Sequence, residues 1–393
     1  MNRKWNENKA LSLGLVIILT FSILVLQPQV NGLDENTIWE NMNPSTKPSA
    51  RRAAGMAYDS GSDLVVLFSG KDPQLPYVFG DTWTYDVDSN IWTNVTPEDS
   101  PPPRGTMGAF EYDSDSDRVI FFGGVKQMEP FVCWNDTWAF HTDTGTWENK
   151  TPAVSPRGTA MPAMAYDSQS DRLILYGGVW DDRVPSSETW SYDYDSNIWT
   201  NMSPSTNPDL LYAFGMTYDS ESDRIILFGG KFRNATFEEQ RDQTWAYDFD
   251  SNTWTNMNPP VAPPARNSFQ MTYHADWDRV VLFGGDRDDP SMYYSDTWLY
   301  DYNNNNWTEL DFDTHPSSRT YADLVYNNDS KKVVLFGGTP NRVDAYGDTW
   351  VLYNISLTNG GNGGNGGLPL WVYLAVAGTG VVIVVLVVFM RRR

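Results

Sequence analysis

Arg118 to Gly124 reads RVIFFGG, and a dozen residues later Asp136 to His141 reads DTWAFH. The first run has the length of a strand and does not alternate, as expected where both faces of a sheet are covered. The pair recurs six times. Its apolar runs end at Gly70, Gly124, Gly178, Gly230, Gly285 and Gly338, with Ser69 replacing the leading glycine of the first. A box ending in Thr-Trp, usually led by an acid, follows each run, at Trp83, Trp138, Trp190, Trp245, Trp298 and Trp350. The period is therefore 52 to 55 residues.

Around that stretch the second unit reads as four strands: Ala109 to Asp113, Arg118 to Gly124, Asp136 to His141 and Thr146 to Thr151. Ser114 to Asp117 forms a turn and Val125 to Asn135 a loop, since Asp and Ser side chains bond back to the local backbone. Four antiparallel strands cannot bury either face alone, whereas units stacked radially bury one another. A period of roughly 50 residues predicts a propeller blade. The glycine pair marks a backbone with positive φ and no room for a side chain. The paired tryptophans, such as Trp83 with Trp92 and Trp138 with Trp147, are expected between blades.

Closure is legible as well. Five units carry a fourth-strand tryptophan, at Trp92, Trp147, Trp199, Trp254 and Trp307, and the sixth has none after Trp350. Ile38 to Pro44 (IWENMNP) copies Ile91 to Pro97 (IWTNVTP), so the N-terminal segment is expected to complete the last blade. After each glycine pair, an aromatic and a tryptophan stand seven residues apart: Tyr85/Trp92, Phe140/Trp147, Tyr192/Trp199, Tyr247/Trp254 and Tyr300/Trp307. This pattern resembles the kelch repeat and covers roughly residues 36 to 354. The resemblance implies an all-β fold, a six-bladed kelch propeller like the central domain of galactose oxidase. It is specific for fold, since propellers host unrelated activities.

The two ends read differently. Met1 to Lys9 is basic, Ala10 to Leu26 is apolar, and Val30 and Gly32 offer small residues for cleavage, which predicts a signal peptide over 1–32. The propeller is expected over 33–358, and a Gly/Asn tether over 359–367. Residues 368–390 hold no charge, enough for about 34 Å of helix against a hydrocarbon core of ~30 Å. Arg391 to Arg393 then close the chain as a cytoplasmic stop. The expectation is a single-pass protein at the cell membrane with its propeller outside.

The net charge is −22, and about −27 without the terminal segments, which excludes a phosphate backbone as partner. Cys133 is the single cysteine, so no disulfide forms within the chain. Sequons at Asn94, Asn135, Asn149, Asn201, Asn234, Asn306, Asn328 and Asn354 suit an exported chain as glycosylation candidates.

Loops joining second to third strands, and blade to blade, emerge on one face of a propeller. Here the first set is long and irregular, while the other face carries stereotyped turns such as DSGSD and DSDSD. Recognition is expected on the long-loop rim. Its aromatics are Tyr77, Phe79, Phe131, Trp134, Trp180, Phe232, Phe237, Tyr293, Tyr294 and Tyr346. They would stack on sugars or anchor a protein, or else pack their own loops. A partial ring of arginines, Arg51, Arg104, Arg157, Arg266 and Arg319, is broken in the fourth unit by Leu211. These would clamp a carboxylate, or pair with a neighbouring blade's acid among Asp81, Asp136, Asp296 and Asp348. Asp113 to Asp117 resembles the start of a calcium loop, but the glycine and distal glutamate of that loop are missing. A local turn is the other reading.

The copper-radical chemistry of galactose oxidase requires histidine ligands. Of His141, His274 and His315, only His315 falls on the rim with Cys133, so no copper site is expected. No cofactor motif or metal spacing is found, and Asp143 to Trp147 is one residue short of a sialidase Asp-box. The expected function is a binding module for extracellular proteins or glycans. By analogy with sugar enzymes on this fold, the alternative is a carbohydrate-active enzyme, sialidase- or epimerase-like. It would use the arginine mouth with Glu129, Asp181 and Asp182.

Overall fold

The computed structural model describes residues 37–75, 78–104, 108–288, 293–341, 343–354, 374–377 and 381–384. It divides into a unit ending at Ile355 and a C-terminal unit from Ser356. In the second unit the described residues are two strands, Leu374–Ala377 and Val381–Val384, paired antiparallel. The helix expected over 368–390 is thus not what the described part of that segment adopts. Among the described residues no helix is long and apolar enough to cross a membrane. The local cause is composition. Val376, Val381, Val382, Ile383 and Val384 are β-branched and favour a pleated strand, and Gly378 and Gly380 are poor helix formers. The signal segment, the tether and the terminal arginines lie outside the described residues.

The first unit is a set of four-stranded antiparallel sheets, six in number among the described residues. The first holds Gly55–Asp59, Leu64–Phe68, Thr82–Asp86 and Ile91–Asn94. The second holds Ala109–Asp113, Arg118–Phe122, Thr137–His141 and Thr146–Asn149, close to the sequence reading. The third to fifth begin at Ala163–Asp167, Gly215–Asp219 and Gln270–His274. The sixth takes Asp323–Asn327, Lys332–Phe336 and Thr349–Asn354, with Thr37–Asn41 as its outer strand. There Trp39 pairs with Leu352 and Asn41 with Trp350. First strands of consecutive sheets lie side by side, and that of the sixth lies beside that of the first.

The fourth-strand tryptophans fill the spaces between sheets. Each donates its indole N–H to the threonine opening the third strand of the preceding sheet: Trp147 to Thr82, Trp199 to Thr137, Trp254 to Thr189 and Trp307 to Thr244. Trp92 of the first sheet reaches Thr349 of the sixth, and Trp39 reaches Thr297 of the fifth at 3.0 Å. Trp39 therefore occupies the slot of a fourth-strand tryptophan, 2% exposed and 5.3 Å from the Phe283 ring.

The glycine pair is required where two sheets come closest. Gly123 has φ +75°, and a Cβ there would lie 2.7 Å from the Thr159 carbonyl oxygen of the next sheet. Ser69, at φ +65°, is tolerated because its hydroxyl donates to the facing Arg104 carbonyl at 2.9 Å. On the opposite face, Asp113 Oδ1 accepts the N–H groups of Asp115 and Ser116, as Asp167 and Asp219 do in their own turns. The acidic run is used as a turn.

Candidate functional site

Four of the rim arginines are buried: Arg51, Arg104, Arg266 and Arg319, at 0 to 1% exposure. Each makes a two-pronged ion pair with the acid opening the Thr-Trp box of its own sheet: Arg51 with Asp81, Arg104 with Asp136, Arg266 with Asp296 and Arg319 with Asp348. The partner acid belongs to the same sheet, not a neighbouring one as the sequence reading had it. Each guanidinium also donates to the carbonyl of the residue after the second strand: Ser69, Gly123, Gly284 and Gly337. Its Nε donates to a carbonyl two residues back, as Arg319 does to Ser317. Most N–H directions are thereby used, which leaves little to clamp a substrate carboxylate. Burial raises the Asp81 and Asp348 carboxyls, but the hydrogen bonds and charge of their arginines outweigh it and hold both below the usual carboxylate range.

Arg157 does not belong to this set. The carbonyls at the repeat position accept the second glycine N–H of the preceding sheet, and in the third sheet that residue is Thr159. Arg157 lies two residues earlier, is 45% exposed and pairs with Asp182 at 3.1 Å. The fourth sheet has Leu211 at this position. Where the arginine is missing, the box opens with Glu188 or Gln243, which serve the following tryptophan alone, at 2.8 and 3.4 Å.

The aromatics divide in the same way. Phe79, Trp134, Tyr294 and Tyr346 cap the four buried guanidinium groups at 4.2, 4.8, 4.0 and 4.2 Å from ring centre to carbon. Each stands two residues before the box acid and donates its backbone N–H to the second glycine's carbonyl. They hold repeat positions and pack their own loops, the second of the two readings of the rim aromatics. Tyr293 is half-buried and bridges to Asp286, and Tyr77 lies outside the described residues.

What remains is grouped over the second to fourth sheets. Phe131 lies under the Arg183 guanidinium at 4.6 Å, and Trp180 under that of Arg157 at 4.8 Å. Phe232 and Phe237 pack at 5.4 Å, with Arg241 over Phe232 at 4.4 Å. The loops are braced by small sheets of their own. Val125–Gln127 pairs with Val132–Cys133, Thr159–Ala160 with Val179–Trp180, and Lys231–Arg233 with Leu211–Tyr212 on one side and Glu238–Gln240 on the other. They are also tied together: Arg183 meets Glu129 at 3.0 Å, Arg233 donates to the Arg183 carbonyl, and the Cys133 N–H donates to Asp181. Met128, Val184 and Phe237 are 60, 45 and 50% exposed on this patch. Cys133 is buried and donates to the Val179 carbonyl, and burial pushes its thiol up to about 12, so it is no nucleophile at neutral pH.

Asn94, Asn135, Asn149, Asn201 and Asn328 are exposed, and Asn234, Asn306 and Asn354 are half-buried. Asn94, Asn149 and Asn201 accept the N–H two residues on, as Asn41 and Asn256 do without a sequon. Those three sequons therefore coincide with a repeated turn. His141 meets Glu148, His315 meets the Pro316 carbonyl, and His274 stacks on Trp277 at 3.7 Å, where burial lowers it to about 3. Among the described residues no group of three metal-binding side chains converges. Between the first strands lies a cavity of about 130 Å³ bordered by Glu111, Gln270 and Asp323. It is smaller than the roughly 300 Å³ that small-molecule sites begin at.

Comparison with known proteins agrees with this geometry. The chain is 24% identical over 329 residues to the flagellar outer-arm dynein alpha chain of Chlamydomonas reinhardtii, covering 77% of this chain and 7% of that one. It is 26% identical to a Rab9 effector protein with kelch motifs from Xenopus laevis, over 55% of this chain and 58% of that protein. It is 28% identical to Kelch domain-containing protein 2 of Bos taurus, over 38% and 35%. The chain thus spans less than two thirds of each of these relatives. The family model described as the KLHDC2/KLHL20/DRC7 kelch-repeats domain matches residues 31–211 and 168–358. Fold, repeat geometry and match together identify the chain as a member of the kelch-repeat family.

Proposed function

We propose that the chain is a closed six-bladed propeller that binds a protein partner through the long loops of its second to fourth blades. The observation that carries this reading is the patch of Phe131, Trp180 and Phe237, with exposed Met128 and Val184, on loops braced by their own strands. Anchors of this kind on a pre-formed surface lose little entropy on docking, and a few of them supply most of the binding energy. Hydrogen bonds between the strands at the two ends of the first unit support the closed ring. Kelch membership supports a protein partner. Arginines over the aromatics, with Asp181, Asp182 and Glu129 beside them, suit a partner carrying both apolar and charged groups.

The test is capture by the intact protein from the cells that make it, compared with a Phe131→Ala/Trp180→Ala/Phe237→Ala variant. An Asp88→Asn/Asp250→Asn variant on the opposite face serves as control. Loss in the first and retention in the second is expected; equal capture by all three overturns the reading. A glycan-array signal lost in the first variant would move the ligand class to sugars. The uncharged 368–390 segment and the arginines after it support a place at the outer membrane surface. Release of the protein by alkaline carbonate would refute that placement.

A further inference from the structure

A groove of about 630 Å³ runs along the outer circumference, between Thr37–Asn41 and the connector at Asp311 to Thr314. It opens where the repeat departs from its own pattern. Five units leave the outer strand through Asn-x-x-Pro: Asn41 to Pro44, Asn94 to Pro97, Asn149 to Pro152, Asn201 to Pro204 and Asn256 to Pro259. The fifth unit has Glu309, Leu310, Asp311 and Phe312 there instead. Without the asparagine, the side-chain turn that ends the other strands cannot form, and this strand runs on to Leu310. Without the proline, Phe312 can pack half-buried against the cluster containing Trp39 and Leu352.

The groove's walls are apolar and its rim is acidic. Ile38, Phe312, Trp350 and Tyr353 contribute half-buried side chains, while Glu40, Asp311 and Asp313 are exposed. No lysine or arginine borders it. Glu40 accepts the Tyr353 hydroxyl at 2.6 Å, whereas Asp311 and Asp313 make no ion pair among the described residues.

We propose that this groove binds a short basic peptide segment in which arginines alternate with aliphatic residues. The guanidinium groups meet Asp311 and Asp313 and lie over Trp350 or Tyr353, and the aliphatic side chains fill the space between Ile38 and Phe312. This surface lies between the fifth and sixth sheets and shares no residue with the Phe131, Trp180 and Phe237 patch of the second to fourth, so its test is independent of the function proposed above.

The probe is an acetylated, amidated Arg-Leu-Arg-Leu-Arg peptide titrated into the intact protein, with Glu-Leu-Glu-Leu-Glu for comparison. Asp311→Asn/Asp313→Asn should weaken the arginine peptide about tenfold, two exposed charge pairs being worth roughly that together. Raising salt to about 0.5 M should weaken it similarly, because the screening length shortens. Glu98→Gln/Asp99→Asn removes two exposed acids from the first connector, where Pro97 stands in place of an aromatic, and should leave binding unchanged. No binding of the arginine peptide at millimolar concentration overturns the proposal. Equal loss in both variants would do so too, because attraction would then be to net charge alone.

Discussion

Replacing Arg319 by leucine isolates the buried ion pair that recurs in four of the six repeats. Its guanidinium is 1% exposed and contacts the Asp348 carboxylate at 2.7 and 2.9 Å, the Gly337 carbonyl at 2.9 Å and the Tyr346 ring at 4.2 Å. Leucine fills part of that volume but leaves Asp348 with the Trp350 N–H as its remaining side-chain donor, at 2.7 Å. Removing one partner of a buried pair costs about 3–5 kcal/mol, because the other charge stays desolvated. The fourth repeat already shows a compatible neutral pair, with Leu211 and Gln243 at these positions. Arg319→Leu/Asp348→Gln should therefore recover about 2 kcal/mol or more of the loss, a coupling that distant sites do not show.

Urea denaturation followed by tryptophan fluorescence measures this, provided the slope stays constant across the variants. The pH dependence supplies a second check. Asp348 lies below its unfolded value in the native protein, so its stabilising contribution is complete above about pH 4 and is lost as pH falls further. In Arg319→Leu burial acts without the opposing cation and the carboxyl rises, so that variant should gain stability as pH falls from neutral. A loss under about 1 kcal/mol for the single variant refutes the reasoning. So does a double variant no more stable than the single one.

Trp39→Ala should cost about 3–5 kcal/mol in the same assay, as a core aromatic truncation does, and Trp39→Phe less, since it loses chiefly the bond to Thr297. Burial pushes Glu111 up to about 7 despite the Tyr112 N–H, so its ionisation opposes folding. The native protein should lose stability between about pH 4.5 and 7, and Glu111→Gln should flatten that slope in melts across the range. Arg157→Ala should leave the denaturation midpoint unchanged, whereas Arg104→Ala should lower it markedly, since one guanidinium is exposed and the other buried.

The repeat was legible because its parts are constrained locally: a glycine pair where backbones nearly touch, a threonine facing each indole, and an aspartate folding back on its turn. The N-terminal strand was legible for the same reason, because Trp39 carries the context of Trp92. The site was less so. Phe79, Trp134, Tyr294 and Tyr346 look irregular when counted forward from the glycine pair, because the loop between varies in length. Counted back from Trp83, Trp138, Trp298 and Trp350, each stands four residues away, which is the signal that marks them as structural. Arg157 misled because it resembles its counterparts in type while standing two residues out of step, and only the carbonyl facing the neighbouring sheet identifies Thr159. At the tail it is the expected helix that differs from the described strands. Hydropathy registers an uncharged stretch but not the β-branched content of Val381 to Val384.

Amide hydrogen exchange over Thr37–Asn41 and Thr349–Asn354 in the intact protein bears most directly on the account, since the rim is a continuous surface only if the ring is closed. Closure through the pairing of these strands predicts protection lasting as long as that of Val65 to Phe68 or Val333 to Phe336, in the cores of their sheets. Exchange of the Ile38 and Glu40 amides, which face Tyr353 and Val351, at the rate of an unstructured peptide would contradict it.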